Sequence, residues 1–261
     1  MKTYGIIPAR LQSTRLPHKL LLKETGKPLI QYAWEAAKWA KSLDEVIIAA
    51  DAEEIVTACQ GFGARVEMTG EHPSGSDRIA EVVRRSCGDA ELVVNLQGDE
   101  PEMDPGAIDK LVDAMKSRPD VEMATLATPI TSAVMLEDRA CVKVVCAADG
   151  RALYFSRLPI PCYRDGRPDE LLRASRPSDG GSVASSPWLL HMGIYAYRPE
   201  FLLTLTQLPP SRLEQLEKLE QLRALESGAS ILVVVARHAS RGIDTSADYL
   251  AFVERQAHQR G

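Results

Sequence analysis

Ile6-Ile7-Pro8-Ala9-Arg10-Leu11-Gln12-Ser13-Thr14-Arg15-Leu16-Pro17-His18-Lys19 decides how this chain is read. A short apolar strand runs straight into a loop carrying Arg10, Arg15 and Lys19, with hydroxyls at Ser13 and Thr14. In an open α/β sheet, ligands bind beyond the carboxyl ends of the strands. Guanidinium forks and an ammonium point charge gathered there suit phosphate oxygens, and triphosphate is the natural candidate. On charge alone the loop reads equally as a solvated basic turn, the usual place for charged residues.

Further along, short apolar runs alternate with helical patterns. Strands are expected at Tyr4–Pro8, Val46–Ala50, Arg65–Met68, Leu92–Leu96 and Met123–Thr128. Most lack strict apolar/polar alternation, as strands covered on both faces do. Helices are expected near Leu29–Ala40, Ala52–Gly61, Ser76–Cys87 and Pro105–Met115. The repeat implies an α/β sandwich with a mainly parallel sheet. After about residue 130 the pattern changes. Asp149-Gly150 between Val142–Ala147 and Ala152–Ser156 signals a hairpin. Residues 163–187 are rich in Arg, Asp, Pro, Gly and Ser and read as a long mobile loop. Strands resume at Trp188–Tyr197 and Ile231–Ala236, with helices at Arg212–Glu226 and Asp244–Gln256. Leucines at 213, 216, 219, 222 and 225 recur every three residues. At 3.6 residues per turn that stripe winds around the helix, which implies burial on several sides or a shared subunit contact.

The bulk properties narrow the class. The chain has 261 residues with 45% apolar, enough for a sizeable core. A net charge of −5 argues against nucleic acid as a partner. The start reads as a strand and not as a secretory leader, and no apolar run approaches the ~20 residues of a membrane span. The five cysteines are odd in number and form no CxxC pair, so they read as reduced thiols of a cytoplasmic protein without a zinc site.

Three further stretches carry chemistry. Leu92–Leu96 ends in Gln97-Gly98-Asp99-Glu100-Pro101. Gly98 lets the backbone turn or a ligand approach. Asp99 then stands at a strand end, as a magnesium ligand or as an ordinary turn residue. Arg241-Gly242-Ile243-Asp244-Thr245 offers a second carboxylate, or simply a helix cap. Ser74-Gly75-Ser76-Asp77-Arg78 precedes an amphipathic helix, with Ser76 expected as its N-cap.

In this order, Ile7-Pro8-Ala9-Arg10 with STRLP (13–17), SGSDR (74–78), QGDEP (97–101), ALYFSR (152–157), HMGIYAYR (191–198), LEQLR (219–223) and Asp244-Thr245 resemble the 3-deoxy-D-manno-octulosonate (Kdo) cytidylyltransferase family. The resemblance covers nearly the whole chain, residues 163–187 excepted. It implies a Rossmann-like nucleotidyltransferase sandwich, a smaller dimerisation extension and a homodimer. It further implies one domain, with 1–130 mainly nucleotide-binding, 131–235 mainly sugar-acid-binding and dimerising, and 236–261 holding the metal-ligand loop and last helix. By the same resemblance, CTP is contacted by Ala9, Arg10, Ser13, Arg15, Lys19, Ser76, Arg78 and Gln97. Magnesium is held by Asp99 and Asp244. The sugar acid is contacted by Arg157, His191, Tyr195, Glu220 and Gln221, with Arg157 on its carboxylate and His191 as a hydrogen-bonding group, not a base. The implied reaction moves CMP from CTP to Kdo, for lipopolysaccharide. Ser76-Asp77 stands where the family often has Thr-Glu, and Ala50-Asp51 where it often has Thr-Asp. A cytidylyltransferase for a related acid, such as 8-amino-Kdo or a nonulosonate, and an inactive CTP-binding regulator remain the alternatives.

Overall fold

A computed structural model describes residues 1–174, 186–240 and 242–260. Its strands are β1 (Thr3–Ala9), β2 (Glu45–Ala50), β3 (Arg65–Met68), β4 (Leu92–Asn95), β5 (Met123–Pro129), β6 (Lys143–Cys146), β7 (Ala152–Ser156), β8 (Leu189–Tyr197) and β9 (Ile231–Val235). Its helices are α1 (Leu29–Trp39), α2 (Glu53–Gly61), α3 (Gly75–Ser86), α4 (Pro105–Ser117), α5 (Ala133–Glu137), α6 (Pro168–Ala174), α7 (Pro199–Leu205), α8 (Arg212–Glu217), α9 (Gln221–Glu226) and α10 (Ser246–Arg260). The chain divides into two compact units. The first holds Met1–Asp113, Ala196–Thr206 and Ser240–Gly261, and the second Ala114–Tyr195 and Gln207–Ala239. Residues 196–206 and 242–260 thus group with the first unit and not with the segments beside them in sequence.

In the first unit the strands lie in the order β3-β2-β1-β4, all parallel. Ile6, Ile7, Ile47, Ile48, Val93 and Val94 are fully buried. This is why the runs do not alternate: each side chain lies in the core, gaining ~1.5–3 kcal/mol apiece. The order reverses between β1 and β4, and a reversal of this kind opens a crevice at the strands' carboxyl ends. The basic loop leaves β1 there, and Gln97–Asp99 leave β4 there. Gly98 lies at this close approach. A Cβ on it would come within 3.3 Å of Ile7 Cγ2 and 3.5 Å of the Pro8 carbonyl oxygen.

The α3 boundary differs from expectation. Its N-cap is Ser74, whose Oγ accepts from the Asp77 amide at 3.2 Å, and Ser76 lies buried within the first turn. Asp77 stands three residues after Ser74, the spacing a capping side chain needs.

In the second unit β5 and β9 are parallel, and β6 pairs antiparallel with β7 and β8. Gly150 turns the β6–β7 hairpin with φ +84°, a conformation that disfavours a Cβ. The helix expected over Arg212–Glu226 is broken. Lys218 adopts the left-handed conformation (φ 54°), ends α8 and redirects the chain into α9. The break resolves the winding stripe, since Leu219 and Leu222 are buried while Leu216 faces solvent. Part of the loop expected at 163–187 is the helix α6, whose Leu172 packs with Trp188, Ile130 and Leu136. Residues 175–185 of that stretch, and Arg241, lie outside the described residues.

Candidate active site

A cavity of about 370 Å³ opens at the ends of β1 and β4 in the first unit. Arg10, Ser13, Arg15, Lys19, Arg78, Gln97, Asp99 and Asp244 all line it. Eight residues chosen from separate motifs thus share one wall. Two do not reach it with their side chains: Ala9 is buried in the sheet, and Ser76 is buried inside α3.

The cavity's charge is organised around Lys19. Its Nζ donates to Asp99 Oδ2 at 2.5 Å, to the Ile243 carbonyl at 2.7 Å and to Asp244 Oδ1 at 3.1 Å. Arg15 Nη2 lies 3.0 Å from the same Asp244 oxygen. Apolar packing brings the two carboxylates together. Ile243 is buried with Leu16, Leu29, Tyr32, Tyr249 and Phe252, which draws the loop before α10 onto the loop after β1. The Ile243 amide also donates to the Asp99 carbonyl at 2.9 Å. Asp244 is released from capping because Thr245 does that work. Thr245 Oγ1 accepts from the Asp248 amide, while Asp248 Oδ2 accepts from the Thr245 amide at 2.8 Å.

The five acid-side candidates lie in the second unit. Gln221 is buried and accepts a hydrogen bond from the Tyr195 hydroxyl at 3.2 Å. Its amide Nε2 is buried with no partner among the described residues. His191 packs edge-on to Phe155, with ring centres 5.0 Å apart, and its Nε2 lies 3.0 Å from Thr125 Oγ1. Thr125 has one proton and two carbonyl acceptors, on Met192 and Ile194. With the Thr125 proton on either carbonyl, His191 Nε2–H donates to Thr125 Oγ1. Burial pushes the imidazole down to about 3, so it is neutral near pH 7. Arg157 is tied to main chain: Nε to the Glu217 carbonyl at 2.6 Å, Nη1 to Arg139 at 2.9 Å and Nη2 to Lys218 at 3.2 Å. A guanidinium has five N–H groups, so two remain for a carboxylate. Glu220 is half-buried at the start of α9.

Comparison with known proteins is decisive on family. A family model described as "Cytidylyltransferase" matches residues 4–231. The 3-deoxy-manno-octulosonate cytidylyltransferase of Rhodopirellula baltica is 43% identical over 256 residues, 98% of each chain. The enzyme of that name from Syntrophotalea carbinolica is 43% identical over the whole of both chains. The chain belongs to the 3-deoxy-manno-octulosonate cytidylyltransferase family. A solved CMP:2-keto-3-deoxy-manno-octonic acid synthetase in complex with CTP matches at TM-score 0.86 and 37% identity, covering 99% of this chain and 100% of that one. A 4-diphosphocytidyl-2C-methyl-D-erythritol synthase from Anaerococcus prevotii shares the fold alone, at TM-score 0.61 and 12% identity.

Three residues of this cytidylyltransferase were given no role by sequence reasoning. Asp51, at the end of β2, accepts from the Leu11 amide at 2.8 Å and from Arg78 Nη2 at 3.1 Å. It thereby fixes the first turn of the basic loop and the buried Arg78, which also reaches Thr69 Oγ1 at 2.5 Å. A carboxylate directly after a strand was the available signal. His72 lines the cavity with its Nε2 2.6 Å from Glu81 Oε2, and this bond holds the Glu81 carboxyl below its ordinary range. Glu100 is bonded by the Ser240 hydroxyl. Burial, reinforced by Asp99 and Asp244, pushes its carboxyl up to about 7.

Proposed function

We propose that this protein transfers CMP from CTP to the anomeric hydroxyl of Kdo, releasing pyrophosphate for lipopolysaccharide synthesis. The observation that carries the reading is Lys19 Nζ holding Asp99 and Asp244 together on the wall of a cavity lined by three arginines. The acceptor hydroxyl attacks the α-phosphorus in line with the departing pyrophosphate. Such a displacement asks the protein mainly for positioning and charge neutralisation. Arg10, Arg15 and Lys19 offset charge on the triphosphate, and Arg78 is held in the wall by Asp51 and Thr69. The N-terminus of α3, with Ser74 and Gly75 on the cavity wall, adds main-chain N–H groups facing an anion. In the second unit, the unpartnered Gln221 Nε2 and the two spare Arg157 donors supply hydrogen bonds to a hydroxylated acid. His191, neutral by burial, serves as packing and hydrogen-bonding group and moves no proton.

The donor set fits magnesium. Two carboxylate oxygens converge on one point beside a phosphate-sized cavity, and magnesium characteristically takes one or two carboxylates plus substrate phosphates. Asp99 and Asp244 would hold the ion, which supplies Lewis-acid polarisation and lowers the pKa of the attacking hydroxyl.

The homodimer expected from the family resemblance stays part of this proposal, and the second unit presents Leu153 (63% exposed), Leu158 (55%) and Leu216 (69%) to solvent. A cytoplasmic location is supported by five unpaired cysteines. No helix among the described residues is long and apolar enough to cross a membrane.

The test is pyrophosphate release from CTP across a panel of acids: Kdo, 8-amino-Kdo and nonulosonates. Fastest release with Kdo is expected. CTP binding without release for any acid would return the chain to a regulatory role.

A further inference from the structure

An ammonium group carries three protons, and Lys19 directs them at three acceptors: Asp99 Oδ2, Asp244 Oδ1 and the Ile243 carbonyl. Its side chain is 12% exposed, whereas Asp244 is 49% exposed. The lysine therefore fills the inner side of the carboxylate pair. A divalent ion held by these two carboxylates takes an oxygen from each, at about 2.0–2.1 Å. Asp99 Oδ2 and Asp244 Oδ1 already carry the ammonium at 2.5 and 3.1 Å, so an ion approaching the pair meets a like charge and finds one oxygen of each carboxylate engaged. The lysine's four-carbon stem is flexible, and its charge suits phosphate oxygens as well as carboxylates. Lys19 lines the cavity together with Arg10, Ser13 and Gln97, so a triphosphate in that cavity offers it other acceptors.

We propose that Lys19 occupies the metal's seat between Asp99 and Asp244 in the nucleotide-free protein, and that the triphosphate draws it away. Nucleotide binding then precedes metal binding at this pair. Lys19 thus sets the order of assembly, in addition to neutralising phosphate charge. Without nucleotide, the carboxylates keep their counter-cation and the ion is held out. With nucleotide, the ammonium turns to phosphate and the pair is released. The inference rests on the reading of Asp99 and Asp244 as metal ligands.

The experiment measures two affinities in full-length protein without acid substrate, so that no turnover occurs. Free Mn²⁺ is titrated by electron paramagnetic resonance in the absence of nucleotide. CTP is titrated calorimetrically in EDTA. Lys19→Met should bind Mn²⁺ at least ~10-fold tighter than wild type and CTP at least ~10-fold more weakly. A purely structural disturbance would weaken both. Lys19→Gln removes the charge while keeping a polar end on a shorter stem, and must move both affinities in the same directions, which covers poor folding of the methionine variant. Arg10→Met removes one unit of charge from the cavity wall. Equal tightening of Mn²⁺ by that variant would reduce the effect to bulk charge and overturn the inference. Unchanged Mn²⁺ affinity in both lysine variants would overturn it as well. A separate arm tests the underlying reading: Lys19→Met with Asp99→Asn must lose the gained Mn²⁺ affinity. If it does not, the metal assignment fails and the inference falls with it.

Discussion

Replacing Asp51 by Ala removes two acceptors at once, one from the Leu11 amide and one from the buried Arg78. Breaking a fully buried pair by deleting one partner costs about 3–5 kcal/mol, because the remaining charge stays desolvated. Here the Arg78 side chain is 6% exposed and that of Asp51 21%, and Thr69 Oγ1 still accepts from the guanidinium. The cost is therefore scaled down to about 2–3 kcal/mol. For a chain of this size that lowers Tm by roughly 4–12 °C. Asp51→Asn keeps the carbonyl oxygen facing Leu11 but sets an amide NH2 donor opposite Arg78, so it should recover only the Leu11 bond, about 1 kcal/mol of the alanine cost. Function should follow geometry. Leu11 opens the basic loop, and loosening its anchor should raise KM for CTP roughly tenfold or more in the alanine variant. Melting curves and initial rates at varied CTP measure both effects. Alanine and asparagine variants melting within about 1 °C of wild type would mean the ion pair holds nothing, and the placement of the loop would need another cause.

Asp99→Asn should lose at least ~10²-fold in magnesium-dependent pyrophosphate release, as loss of a transition-state charge contact does; near-wild-type release would remove Asp99 from the metal site. His191 sits at about 3 in the folded protein and near 6.5 when unfolded, so the unfolded chain binds more protons between those values. Its contribution is present above pH 6.5 and is lost as pH falls towards 3, amounting to about 2 kcal/mol at pH 5. Urea unfolding at pH 8 and pH 5 should show this loss in wild type and not in His191→Gln, and the wild-type His191 ring should show no NMR titration above pH 5. Lys218→Gly should stabilise the protein by about 0.5–1 kcal/mol, because glycine adopts the left-handed turn between α8 and α9 freely; denaturant midpoints lower than wild type would contradict the strain assigned to that turn.

The ends of β1 and β4 were readable from sequence because their chemistry is local. Strand, turn and charged residues fall within about fifteen positions, and the parallel order of a βαβ unit places such ends on one edge. The meeting of Asp99 with Asp244 was not readable in that way. It depends on Ile243 entering an apolar cluster built from Leu16, Leu29, Tyr32, Tyr249 and Phe252, which belong to three distant segments. The break at Lys218 was equally hidden, since a lysine gives no local sign of a left-handed backbone. The leucine stripe did carry a trace of it: a spacing of three from Leu213 to Leu225 fits no single buried helix face. Ser74 was readable as the cap of α3 through Asp77 three positions on, although Ser76 offers the same hydroxyl two residues later.

Lys19 shows most clearly what the fold adds to a motif. In sequence it joins Arg10 and Arg15 as one of three cations facing a polyanion. In the structure its nitrogen already belongs to two carboxylates and a carbonyl, so any phosphate must compete for it. Arg15 is in the same position towards Asp244, at 3.0 Å. Arg15 is 65% exposed and solvated, so exchanging its partner costs little. Lys19 is largely enclosed, so its exchange is coupled to whatever takes its place between the carboxylates. Two cations from one motif therefore play unequal parts, and the difference comes from burial set by the packing of α10, not from the motif itself.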